Sequence, residues 1–154
     1  MPKLTRTIRV AAMDYLSRRE HATHELFQKL VAKAEYEAED ISEALAHLTE
    51  QGLLSDERFT EVFINQRINN GHGPLKIRSE LRQKGVSDAM IGAFLNERDG
   101  QWKENALAVR LKKYGAQRPD DLKETARQTR FLQSRGFSSE QTQYAMRFDD
   151  TDYD

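Results

Sequence analysis

An all-α fold is predicted for this 154-residue chain, built as three tandem three-helix-bundle repeats in an elongated, curved array. Apolar residues recur at three- and four-residue spacing along nearly all of it, and no stretch alternates with period two over strand length, so no sheet is expected. Gly follows helical runs and Ser or Asp precedes them, the usual stop and start signals. The third observation is a repeat at an offset of 51: Leu81, Lys84, Gly85, Val86 and Ser87 line up with Leu132, Arg135, Gly136, Phe137 and Ser138. A weaker echo joins Leu30, Lys33, Ala34, Ile41 and Leu45 to the same pattern with one residue inserted. One such unit buries too little surface to stand alone, so neighbouring units should stack.

Taken in order, Leu4, Ile8, Ala11, Ala12 and Tyr15 predict a first amphipathic helix over 5–16, with Arg6 and Arg9 outside. Ser17 with Glu20 reads as a capping box opening a second helix, whose stripe is Ala22, Leu26, Phe27 and Leu30. A polar loop over 33–39 precedes a third helix from near Asp40, with Ile41, Ala44, Leu45 and Leu48 on one face and Gly52 as its stop. Ser55 caps a fourth, with Phe59, Val62, Phe63 and Gln66 inward. Pro74 suits the first turn of a fifth, which Gly85 closes with Ile77 and Leu81 inside. Ser87 caps a short sixth helix facing Ile91, Phe94 and Leu95 to the core. Trp102, Ala106, Leu107, Val109, Leu111 and Tyr114 mark a seventh. Asp120 is expected to cap an eighth through Leu122, Ala126, Thr129 and Leu132, and Ser138 with Gln141 opens a ninth with Tyr144, Ala145 and Phe148 inward. These signals divide the chain into an N-terminal helix (1–16), repeats at 17–70, 71–116 and 117–148, and an acidic, disordered tail at 149–154.

Charge is segregated along the chain rather than spread over it. Lys and Arg number 24 against 25 acids, a net charge of −1. Between residues 35 and 61 nine acids face Arg58 alone; between 67 and 84 five bases face only Glu80. Such a bipolar chain is not a uniformly basic nucleic-acid binder. With no cysteine, disulfides and thiolate metal sites are excluded. No apolar run approaches the roughly 20 residues of a membrane span and no signal segment is seen, so a cytoplasmic protein without membrane contact is expected.

Little in the sequence points to catalysis. His21 and His24 share a helix, but His47 and His72 are scattered; exposed polar histidines are expected and no metal or cofactor. The acidic block isolates no carboxylate pair, and the Gly-His-Gly-Pro run at 71–74 lacks the lysine and preceding strand of a phosphate loop. A non-enzymatic protein follows. The basic cluster carries more information: Arg78 and Arg82, one turn apart on a helix starting at Pro74, present two guanidinium groups suited to carboxylates or phosphates. They either meet a partner or solvate the helix and pair with nearby acids. Arg127, Arg130 and Arg135 form a matching set in the last unit, which favours a shared binding face.

Four runs carry a family likeness: Leu-Ser-Arg-Arg-Glu-His at 16–21, Gly-Leu-Leu-Ser-Asp-Glu-Arg-Phe at 52–59, Gly-His-Gly-Pro-Leu-Lys-Ile-Arg-Ser-Glu-Leu-Arg-Gln-Lys-Gly at 71–85, and Phe-Leu-Gln-Ser-Arg-Gly-Phe at 131–137. In order and spacing the chain resembles the RecX family, bacterial regulators of the recombinase RecA, over nearly its whole length. The resemblance implies three tandem three-helix units, and a role in DNA repair, recombination and the SOS response. It implies binding to RecA, as monomer and as filament on single-stranded DNA, with ATPase, coprotease and strand-exchange activities mainly inhibited. The family's central motif falls on Gly71, Gly73, Lys76, Ile77, Arg78, Leu81, Arg82, Lys84 and Gly85, and its last on Phe131, Leu132, Arg135, Gly136 and Phe137. Ala34 stands where the family pattern has glycine, which puts that turn's path in question. The candidate partner-binding residues are therefore Arg67, Lys76, Arg78, Arg82, Lys84, Arg127, Arg130 and Arg135. A monomer is expected, with weak contact to single-stranded DNA.

The rival reading is a helix-turn-helix-like DNA-binding module over 75–95. Its second helix carries Asp88 and Glu97 with no base before Arg98, a poor composition for a groove lined by phosphate.

Overall fold

The computed structural model describes residues 6–148, so the start of the first helix at Leu4 and Thr5 and the acidic tail lie outside the described residues. Nine helices and no strand occur among those residues: α1 Ile8–Arg18, α2 Thr23–Ala32, α3 Ala38–Glu50, α4 Asp56–Asn69, α5 Pro74–Gln83, α6 Asp88–Phe94, α7 Gln101–Tyr114, α8 Leu122–Ser134 and α9 Ser139–Arg147. The expected helical periodicity is realised in each, while several caps and faces differ.

Ser17 does not open the second helix. It lies inside α1 and its hydroxyl donates to the Asp14 carbonyl at 2.7 Å, so it bonds back along its own helix. α2 begins after Ala22, whose N–H donates to the Glu25 carboxylate at 3.4 Å, while Asp56 accepts from the Thr23 N–H at 2.7 Å. Asp121, not Asp120, caps α8, accepting from the Glu124 N–H at 2.7 Å. Ser55, Ser87 and Ser138 cap α4, α6 and α9 as expected, the last with Gln141 returning a bond to the Ser138 N–H.

Burial corrects three helix faces and one histidine. In α4 the buried residues are Phe59, Thr60, Phe63 and Ile64, and Val62 and Gln66 face solvent. Thr60 takes a core place because its hydroxyl is satisfied by the Asp56 carbonyl at 2.7 Å. In α8 Leu122 is 88% exposed and Ala126 is exposed, while Gln128 and Leu132 turn inward. Phe94, at the last turn of α6, is partly exposed, while Ile91 and Leu95 enter the core as expected. His21 is buried rather than exposed.

Two compact units are present. The first holds the described residues up to Phe63 together with Leu81–Ile91; the second holds Ile64–Glu80 and the described residues from Gly92 on. In the first unit α1, α2 and α3 pack on one another around Ala11, Ala12, Leu26, Leu30, Ile41, Leu45, Leu48 and Leu54. Gly85, at φ +81, lies so close to α2 that a Cβ there would collide with the His24 side chain. The second unit repeats this contact. Gly136, at φ +97, abuts Lys76 in the first turn of α5, and the Gly73 and Leu75 N–H groups donate to the Arg135 and Gly136 carbonyls at 2.6 and 3.0 Å. Gly in the turn of one repeat thus seats the first turn of the middle helix in the repeat before it.

α7, α8 and α9 pack together in the second unit, and at their centre lies Arg110, fully buried. Its guanidinium donates to the Gln128 side chain at 3.1 Å, to the Ala145 and Phe148 carbonyls at 3.2 Å each, and to the Gln117 carbonyl at 2.9 Å. The last carbonyls of α9 have no partner within their helix and carry the negative end of its dipole, so a buried cation caps them. This explains why Gln128, a polar residue, occupies the inner face of α8.

Candidate functional site

The five basic candidates of the central stretch do not form one open flank. Arg67 Nε lies 2.9 Å from Glu80 Oε2, with both side chains less than a third exposed. Arg78, on the opposite side of Glu80's helix, pairs with Glu97 at 2.6 Å. Lys84 reaches Glu25 at 2.6 Å, where Arg19 also binds at 2.8 Å. Burial opposes ionisation of Glu25, but the hydrogen bonds from Arg19 and Lys84 outweigh it and hold the carboxyl at about 2. These three cations are tied to the fold.

Others remain at the surface. Arg82 pairs with Asp88 at 2.8 Å, but the two side chains are 57% and 74% exposed, so the pair contributes less than ~1 kcal/mol and is exchangeable. Arg127 pairs loosely with Glu124 at 3.5 Å, Arg130 is exposed, and Lys76 is half-buried beside Gly136. Arg135 leans over the Phe131 ring, 5.1 Å from its centre.

Two features escaped the sequence reading. His21 Nδ1–H donates to the Arg19 carbonyl at 3.0 Å and Nε2 accepts from Lys29 at 3.0 Å; burial lowers its pKa below the ordinary 6.5. The second is Lys112 with Lys113 at the end of α7, where Lys113 Nζ sits 3.9 Å over the Phe131 ring. Residues 105–119 contain no acid, a signal that was available in the sequence.

Among the described residues no group of three metal-ligating side chains converges, and no helix is long and apolar enough to cross a membrane. α6, the second helix of the rival module, is seven residues long and carries Asp88 without a base. Fold and surface together define a helical-repeat protein of three-helix modules in which Arg67, Arg78 and Lys84 are matched to acids of their own unit.

The chain belongs to the RecX family. Family models for the first, second and third three-helix domains match residues 9–48, 55–95 and 100–146. The chain is 42% identical over 145 residues to "Regulatory protein RecX" of Halorhodospira halophila, covering 94% of this chain and 89% of that one. It is 45% identical to the protein of the same name from Pseudomonas putida (strain GB-1), covering 84% and 83%. Among solved structures, "Crystal structure of regulatory protein RecX" matches with a TM-score of 0.74 at 26% identity, covering 90% of this chain and 69% of that one. RecX from Lactobacillus salivarius shares the fold at a TM-score of 0.74 and 22% identity, covering 90% and 92%. A regulatory role follows from the family.

Proposed function

We propose that the protein binds the recombinase RecA, alone and as its filament on single-stranded DNA, and restrains its ATPase, coprotease and strand-exchange activities. The observation that carries this reading is the in-order match of all three domains, with 42% identity over 94% of the chain to a protein named as a regulator. A single copy acting in the cytoplasm, holding neighbouring protomers, would hinder the subunit movements that ATP turnover and filament growth require. The contact cations are Arg82, Arg127, Arg130 and Lys76, because they are the candidates least committed to internal acids. Arg135 is half-buried against Phe131, while Arg67, Arg78 and Lys84 act by holding the helices of their own units together.

The test is ATP hydrolysis by a recombinase filament titrated with this protein. Falling hydrolysis at substoichiometric to equimolar protein is expected; an unchanged rate across a wide concentration range would sink the reading.

A further inference from the structure

In the second unit, the last two turns of α7, the end of α8 and the turn after α4 enclose a cleft of about 640 Å³. Lys112, Lys113 and Arg135 stand on its walls, Phe131 and Val109 form apolar surface, and Asn70 and Asn105 also line it. No carboxylate is among the described residues that line it, although acids make up 25 of the 154 residues. The contrast with the rest of the molecule is direct. Arg67, Arg78 and Lys84 meet carboxylates within 3 Å, whereas Lys113 and Arg135 rest on the Phe131 ring at 3.9 and 5.1 Å from its centre.

A cation on an aromatic face keeps its full charge and its hydrogen-bond donors free for an anion. Positive potential also reaches the rim: His72 is held below its ordinary 6.5 by burial and then by Lys76, Arg67 and Arg135, against the pull of Glu80. The cleft therefore offers three cations for a phosphate, and Phe131 with Val109 as apolar surface for a flat ring. Its volume is within the range that encloses a small organic ligand. A peptide rich in carboxylates would use the cations but leave the apolar surface of Phe131 and Val109 without a counterpart.

We propose that this cleft binds a nucleotide unit, with its phosphate on Lys112, Lys113 and Arg135 and its base against Phe131. The unit is either a free nucleotide or one residue of a single strand. The proposal needs no recombinase and none of the α5 cations, so it stands or falls apart from the function proposed above.

The experiment is fluorescence anisotropy of the full chain with a short labelled oligothymidylate, competed by ADP, inorganic phosphate or polyglutamate, with no recombinase present. Saturable binding is expected, weakened about tenfold by Lys112→Ala/Lys113→Ala and several-fold, roughly three to ten, by Phe131→Leu, with unchanged thermal melts. Competition by ADP at the oligonucleotide's own concentration range assigns a free nucleotide; its failure to compete assigns a strand. Should Phe131→Leu unfold, Arg135→Gln takes its place as the second variant. Absence of saturable binding, binding indifferent to both variants, or polyglutamate and phosphate competing as well as ADP while Phe131→Leu is silent would each overturn the proposal.

Discussion

Glu25 is the residue on which the first unit's charges turn. Its side chain is 5% exposed, so its two cationic partners are worth more than the surface pairs around them. Because its folded pKa, about 2, lies below the ordinary 4.5, the stability it contributes is fully present above about 4.5 and is lost as pH falls toward 2. That shift corresponds to at most about 3 kcal/mol. Glu25→Gln is accordingly expected to lower unfolding free energy by up to about 3 kcal/mol at pH 7, with the gap closing near pH 2, read from urea melts across that range. His21, whose folded pKa is also lowered, adds a loss of the same sign that begins as pH falls below 6.5. Ala34 poses a different residue-scale problem. It holds φ +56 where the family pattern has glycine, so the chain takes the glycine path without glycine. Ala34→Gly relieves that strain, and a stabilisation of about 0.5–1 kcal/mol is expected by chemical denaturation.

At the scale of elements, the turns before α6 and α9 do two tasks at once. Gly85 and Gly136 both have positive φ and both touch the first turn of a helix from the preceding repeat, His24 of α2 and Lys76 of α5. Gly52 has positive φ, +74, with open space around it. Gly52→Ala should therefore cost about 1 kcal/mol for backbone strain alone, while Gly85→Ala and Gly136→Ala should each cost about 2–4 kcal/mol, since the His24 side chain and the Lys76 backbone, respectively, must also shift. Equal losses at all three sites in thermal or urea melts would show that the close contact between repeats carries no energy. Arg110 illustrates the same coupling inside α7–α9, where one side chain closes the carbonyl end of α9 and draws Gln128 into the core.

Across the whole molecule, internal ion pairing separates cations tied to shielded carboxylates from cations left at the surface. Lys84 and Arg82 are two positions apart and chemically alike, yet one closes on a buried carboxylate and the other on an exposed one. Arg82→Glu is expected to leave the melt within about 1 kcal/mol of wild type and to weaken inhibition of the recombinase ATPase. Lys84→Glu is expected to cost about 3 kcal/mol or more, because two carboxylates would then share one buried site. Wild-type inhibition by Arg82→Glu would remove that arginine from the contact surface.

The helices, their all-α class and the repeat were legible in the sequence, because three- and four-residue apolar spacing and Ser, Asp and Gly punctuation act over a single turn and need no distant partner. Ser138 with Gln141 was read correctly for that reason, while Ser17 was misread because its hydroxyl had a second local choice, the Asp14 carbonyl. The faces of α4 and α8 and the buried state of His21 were not legible, since Thr60, Gln128 and His21 enter the interior only when Asp56, Arg110 and Lys29 satisfy them. Family membership was also within reach of the sequence, through four motifs in order. What tertiary structure alone decided was which cations of one basic stretch are spent on Glu25, Glu80 and Glu97 and which stay exposed, because ion pairing depends on partners 13 to 59 residues away in the chain and on their burial.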